Sequence, residues 1–275
     1  NYRGLLKADF ADASRIRFLG NYPTSCGEKT WPVAYVDPKT YAPRAVLGVW
    51  QAMGGKLIGS ARYGTVPPTV AVGKPAFVSA SEPLAEVIRD INKYSNNVMA
   101  QMVFLTLGRG SAAAPALAAN DANAEMPQMA GAGASTALAM GSFAASRAAV
   151  QRWWRERLPV DEMPALDNGS GLSRQERISA AGLGHLLQSA YLSPVMSELM
   201  SSLPISGVDG TLRRVKANVD AHMKTGSLSN VVARAGYVLG DSGKRYVVVA
   251  LINHPNAGET RPAIDALVEW VARDQ

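Results

Sequence analysis

Residues 219–253 read VDAHMKTGSLSNVVARAGYVLGDSGKRYVVVALIN. Val219 to Thr225 and Val231 to Leu239 are β-patterned segments, and Arg245 to Asn253 is an almost continuous apolar run. Gly240-Asp241-Ser242-Gly243 supplies a turn before that run, so the stretch predicts a three-stranded antiparallel meander. The last 15 or so residues place Ile264, Leu267, Val268 and Val271 on one face of a helix that can cover the sheet. The fold class that follows is α/β in the segregated α+β sense, an antiparallel sheet flanked by helices.

Upstream, Leu84, Val87, Ile88 and Ile91 fall at helical spacing behind a candidate N-cap at Ser81. A second stripe follows in Val98, Met102 and Leu105. Between them, Tyr94-Ser95-Asn96-Asn97 forms a polar helix–helix junction. Residues 109–134 are rich in Ala, Gly, Asn and Pro and predict a surface excursion without packed elements. A helix from Ser135 to Leu158 is expected to stop before Pro159. Asp167-Asn168-Gly169-Ser170-Gly171 then leads into Ser173-Arg174-Gln175-Glu176, a capping box for a helix that turns Leu183, Leu186 and Leu187 inward. Near the N-terminus, short alternating segments precede a helix from Tyr41 to Met53, ended by Gly54-Gly55, and a strand from Lys56 to Tyr63. Pro67-Pro68 marks a joint, which divides the chain into residues 1–76 and 77–275.

Of the 275 residues, 47% are hydrophobic and 18% charged, enough to bury a full core, and a disordered chain is excluded. No run of eighteen apolar residues exists: Pro115, Asn120, Asp121, Glu125 and Pro127 break the Ala-rich stretch from Ser111 to Ala149, so the chain reads as soluble with no transmembrane segment. Asn1 is not a methionine and no leader-like segment follows, which reads as a signal peptide removed or left out. The single Cys26 excludes an internal disulfide and a multi-cysteine zinc site. The net charge of +6 is scattered without interleaved aromatic residues, so nucleic acid is not expected as a partner.

Lys224-Thr225-Gly226-Ser227 closes the first strand of the meander. The lysine offers positive potential to a carboxylate, the threonine a hydroxyl that can bond it, and the glycine a place where a ligand can lie against the strand edge. Lys-Thr-Gly arises by chance in roughly one chain in twenty of this length and Ser-x-Asn in most, so order and setting carry the signal. Both belong to the set Ser-x-x-Lys, Ser-x-Asn, Lys-Thr-Gly that marks β-lactamases and penicillin-binding proteins. Asp167-Asn168-Gly169-Ser170-Gly171-Leu172-Ser173-Arg174 and Leu203-Pro204-Ile205-Ser206-Gly207-Val208-Asp209-Gly210-Thr211-Leu212 resemble stretches of one branch of that set. It is the class C low-molecular-mass penicillin-binding proteins, the D-alanyl-D-alanine carboxypeptidase/endopeptidase family.

The resemblance covers residues 77–275, and Asp37-Pro38 through Gly55 looks like the end of the long insertion that this family places in its catalytic domain. It implies a β-lactamase/transpeptidase-like fold and a periplasmic serine DD-peptidase acting on peptidoglycan peptides that end in D-Ala-D-Ala, with no cofactor or metal and with β-lactam antibiotics as inhibitors. Ser95 would pass a proton between the nucleophile and the leaving amine, Asn97 would bond the substrate amide, and Lys224 would hold the electrostatics of that relay. Thr225 would grip the terminal carboxylate, with Gly226 beside it, and the Ser227 N–H would form half of an oxyanion hole. One element departs from the pattern. No serine is followed three places later by lysine, and Ser25 with Lys29 is off by one. The family places its nucleophile before the insertion, so the expectation is a fragment that begins inside the insertion. A catalytically inactive peptidoglycan-binding homologue and a serine β-lactamase are the alternatives.

Plainer readings stand beside these. Ser95 and Asn97 could simply cap helices, and the stretch from Asp167 to Ser173 reads as a structural turn-and-cap unit rather than a catalytic element. Arg174 reads as a solvated side chain and Trp153-Trp154 as a surface-and-core pair. His185, His222 and His254 are isolated, without metal-ligand spacing. No Gly-x-Ser-x-Gly elbow is present.

Overall fold

A computed structural model describes residues 2–12, 15–31, 37–65, 67, 77–109, 141–215 and 219–274. The chain divides into two units, Asn1–Ser79 and Ala80–Gln275.

In the first unit, β1 (Leu6–Asp12) and β2 (Arg15–Gly20) pair antiparallel, Leu6 opposite Gly20. Phe18 meets Phe10 edge-on at 6.4 Å between ring centroids and Trp31 at 5.4 Å, which gives this small hairpin an aromatic cluster. Helix α1 (Pro38–Ala52) starts three residues before the expected Tyr41. Asp37 sets that start: its carboxylate accepts the Lys39 N–H at 3.1 Å, and Pro38 occupies the first helical position, where no N–H is needed. The strand expected from Lys56 to Tyr63 is absent. Among the described residues no strand pairs with it, and the β-like pattern there gives a largely exposed path, bent at Gly59 with φ +120°. Pro68, at the expected joint, lies outside the described residues.

The second unit is built on the meander. Strands β3 (Ala221–Leu228), β4 (Val231–Leu239) and β5 (Arg245–Asn253) run antiparallel in the order β3-β4-β5. The second and third strands have the bounds their sequence pattern predicts. On one face, Ala221, Met223, Val238 and Val248 pack with Leu212 and with Val268 and Ala272 of α7 (Arg261–Ala272). Ile264, Val268 and Ala272 are that helix's buried positions, whereas Leu267, expected on the inner face, is 37% exposed. On the other face, Tyr237 packs against Leu187 of α5 (Ala180–Tyr191) and Leu203, just past α6 (Met196–Ser202). Each Val, Leu or Met side chain fully buried in these layers contributes roughly 1.5–3 kcal/mol.

Three further helices complete the described part of this unit: α2 (Leu84–Tyr94), α3 (Asn97–Arg109) and α4 (Phe143–Arg157). Ser81 does not cap α2. Pro83 forces Glu82 out of helical geometry, so the helix starts after the proline. Leu84, Val98 and Met102, expected to face inward, are 62%, 68% and 51% exposed. Ser142 caps α4 through a 3.2 Å bond from the Ala145 N–H, whereas the expected start at Ser135 and the excursion over 110–134 lie outside the described residues. Within α4, Trp154 is buried and donates its indole N–H to the Pro159 carbonyl, while Trp153 sits at the surface beneath the Arg157 guanidinium.

Candidate active site

An antiparallel ladder fixes where the functional groups of β3 point. Ala221 and Met223 enter the core beside α7, so Thr225 and Ser227, two and four positions on, share their face; His222, Lys224 and Gly226 share the opposite one. β4 occupies one edge of β3. Among the described residues the other is bridged at its start: the Met223 N–H donates to the Pro204 carbonyl and the Ser206 N–H to the Ala221 carbonyl, both at 2.9 Å. By the same two-residue period the backbone groups of Thr225 and Ser227 face that edge beyond the bridge.

Lys224 meets the polar junction between α2 and α3. Its ammonium donates to Ser95 Oγ at 2.9 Å and to the Thr225 carbonyl at 3.1 Å. Burial disfavours the charged amine and pushes its pKa below the usual lysine range. Ser95 ends α2 in the left-handed conformation, φ 54° and ψ 49°, which turns the chain sharply into α3. The residue that caps α3 is Asn96, whose Oδ1 accepts the Met99 N–H at 3.1 Å, and Asn97 follows as the first helical residue, half-buried.

Thr225 and Ser227 look the other way. Thr225 Oγ1 lies 2.8 Å from Thr211 Oγ1, and Ser227 Oγ accepts a 3.1 Å bond from Arg261 Nη2 at the start of α7. These residues, Gly226 and Arg214 share a cavity of about 530 Å³. Arg234, on the neighbouring strand, is held by Asp265 at 2.5 Å. The structure thus brings Ser95 to Lys224 and sets Thr225, Gly226 and Ser227 at the adjoining end of β3. Thr211 and Arg261 were not singled out from the sequence. Thr211 stands inside the Leu203–Leu212 stretch, where its hydroxyl was the available signal, but Arg261 carries no local one.

The Asp167–Gly171 turn is structural, though not as a capping box. Glu176 Oε1 accepts the backbone N–H groups of Asp167, Asn168 and Gly169 at 3.3–3.4 Å, so it closes the turn behind it and opens no helix. The next helix begins at Ala180, where Ser179 Oγ accepts the Gly182 N–H at 2.9 Å. Arg174 is exposed, as expected, and also donates to the Ser229 carbonyl at 2.8 Å, which ties this turn to the loop after β3. His185 contacts Glu162 and His222 the Met200 carbonyl. Among the described residues, no group of three or more His, Cys, Asp or Glu is placed to hold a metal, and no helix is long and apolar enough to cross a membrane.

This architecture is that of the penicillin-binding proteins. The chain superposes on penicillin binding protein 4 (dacB) of Haemophilus influenzae, complexed with a novel β-lactam, with a TM-score of 0.59 and 20% identity, covering 96% of this chain and 59% of that one. The sequence profile of the D-Ala-D-Ala carboxypeptidase 3 (S13) family matches residues 3–142 and 139–274, and the chain belongs to that family. Carboxypeptidase DacB of Mycolicibacterium smegmatis is 40% identical over 113 residues, 37% of this chain and 24% of that relative. A D-alanyl-D-alanine carboxypeptidase of an Actinomadura species is 26% identical over 267 residues, 94% of this chain and 44% of that relative. The chain therefore spans less than half the length of these curated relatives.

Proposed function

We propose that the chain carries the later part of the active site of a serine-type D-Ala-D-Ala carboxypeptidase/endopeptidase acting on peptidoglycan peptides through an acyl-enzyme. The observation that carries this reading is the 2.9 Å bond from Lys224 Nζ to Ser95 Oγ beside the unbridged end of β3. A peptide laid along that end finds three groups at once. Thr225, supported by Thr211, bonds the terminal carboxylate, the Ser227 N–H stabilises the oxyanion, and Asn97 at the head of α3 bonds the substrate amide. As the carbonyl carbon is attacked, Ser95 hands a proton to the departing D-Ala amine and recovers one from the nucleophile, with Lys224 stabilising the alkoxide character that Ser95 acquires. Water then hydrolyses the acyl-enzyme.

No Ser-x-x-Lys occurs in the 275 residues, and the relatives are longer, so we place the nucleophile in a part of the parent protein outside this chain. Residues 1–76 are the remainder of an inserted accessory domain on this reading, and 77–275 the later part of the catalytic domain. Peptidoglycan as substrate places the parent in the periplasm, exported and with β-lactams as acylating inhibitors. The missing motif also favours one rival, an inactive peptidoglycan-binding homologue. Release of D-Ala from a peptide ending in D-Ala-D-Ala by the parent protein decides between them: turnover supports the peptidase, whereas binding without turnover supports the rival.

A further inference from the structure

Lys93 lies in the last turn of α2, two residues before Ser95, and is only 9% exposed. Its ammonium donates to Asp209 Oδ2 at 2.6 Å and to the Leu203 carbonyl at 2.7 Å. The second Asp209 oxygen accepts the Ile205 N–H at 2.8 Å. Ile205 bridges to His222, and its neighbours Pro204 and Ser206 bond Met223 and Ala221 of β3. Lys224 is the next residue on that strand. A continuous set of contacts therefore runs from the end of α2, through one part-buried ion pair between buried Lys93 and half-buried Asp209, to the strand that presents Lys224.

Two neighbouring contacts tighten the same junction. Asn92 Nδ2 donates to Ser202 Oγ at 2.8 Å. Gly210, at φ +53°, lies so close to the Lys93 carbonyl that a β-carbon there would fall 2.6 Å from its oxygen. Ser95 itself holds a left-handed conformation, which a serine keeps only where its surroundings over-determine it. A buried ion pair is weak evidence for stability, because apolar residues of similar volume serve as well; its attested use is to fix registry.

We infer that the Lys93–Asp209 pair is a positioning device for the proton relay, setting the end of α2 so that Ser95 Oγ meets Lys224 Nζ. Its catalytic consequence rests on the function proposed above, whereas its geometric content does not. In a crystal structure of the Asp209→Asn protein, the Ser95 Oγ to Lys224 Nζ separation is expected to exceed about 3.5 Å, past hydrogen-bond range. Retention of the wild-type contact overturns the inference whatever the activity. In the parent protein the same substitution is expected to lower kcat for a D-Ala-D-Ala peptide about 10- to 100-fold, with KM changed less than about twofold, because misplacement costs the relay more than it costs binding. Leu187→Ala, which opens the core under Tyr237, serves as the stability control and lowers Tm with kcat unchanged. A raised KM at constant kcat, or an equal loss of kcat in Leu187→Ala, overturns the inference. Should Asp209→Asn fail to fold, the apolar exchange Lys93→Met with Asp209→Leu gives the same readouts. An inactive wild-type parent would remove the functional reading, and the measured separation alone would then decide the positioning role.

Discussion

Thr211 and Thr225 bring their Oγ1 atoms to 2.8 Å across the end of β3, so the hydroxyl assigned to the substrate carboxylate already has a partner that orients it. Thr225→Val keeps the side-chain shape and removes that hydroxyl. Losing a hydrogen bond to a charged group costs about 1.5–3 kcal/mol, a roughly ten- to hundred-fold fall in kcat/KM of the parent protein for a D-Ala-D-Ala peptide. A substrate amidated at its C-terminus should already be poor and lose much less. Equal losses on both substrates would make Thr225 a strand residue only.

Lys224 is a strand residue whose charge is disfavoured by its surroundings. Burial disfavours the charged amine and lowers its pKa below that of a surface lysine, while its ammonium donates to Ser95 Oγ at 2.9 Å and steadies the charge that Ser95 acquires. Titration of ¹⁵N-labelled lysine side chains should show one Nζ with a midpoint below the ordinary 10.5, absent from Lys224→Met. A Lys224 signal that moves with the surface lysines would contradict this.

The meander was legible because nine-residue strands with strong β-patterning and a Gly-rich turn leave one solution. Helix starts were less legible. Asp37-Pro38 and Ser142 are local caps, but Ser173 and Glu176 match a capping pattern that the fold uses differently, because Glu176 finds three backbone N–H groups behind it. The Ser95–Lys224 contact spans 129 residues, and family motifs alone made it visible. Lys93, Asp209 and Arg261 stayed hidden, since a lysine in a helix or an arginine at a helix start reads as surface until its distant partner is known.

Asp209 predicts acid behaviour. Burial opposes its ionisation, yet the Lys93 hydrogen bond, the Ile205 N–H and the charges of Lys93 and His222 together hold its pKa below the ordinary 3.8. The unfolded chain then binds the proton more tightly, so this stabilisation is complete above pH 3.8 and is lost as pH falls through the lower folded value. In acid titrations followed by circular dichroism, Asp209→Asn should be less stable at neutral pH and lose less stability below pH 3.8. Parallel curves for the two proteins would contradict this assignment.

Gly169 lies at φ +74°, and a β-carbon there would fall 2.3 Å from the ring of Phe104, itself buried. Overpacking of this kind costs typically about 1–3 kcal/mol, and the positive φ adds strain. Gly169→Ala should therefore lower Tm by several degrees, whereas Gly171→Ala, with open space beyond its Cα, should pay only for its φ of +78°. Equal shifts would show that the contact with Phe104 does not hold the turn.

Acylation by a fluorescent penicillin, read by intact mass, tests the central claim most directly. The parent protein should gain one covalent adduct, and Ser95→Ala or Lys224→Met should slow its formation about 100-fold or more, the usual range for removing a proton-transfer group. The 275-residue chain alone should gain none. A stable adduct on this chain would mean that one of its own serines is the nucleophile, and a parent that is never acylated would mean that the Ser95–Lys224 pair serves no peptidase.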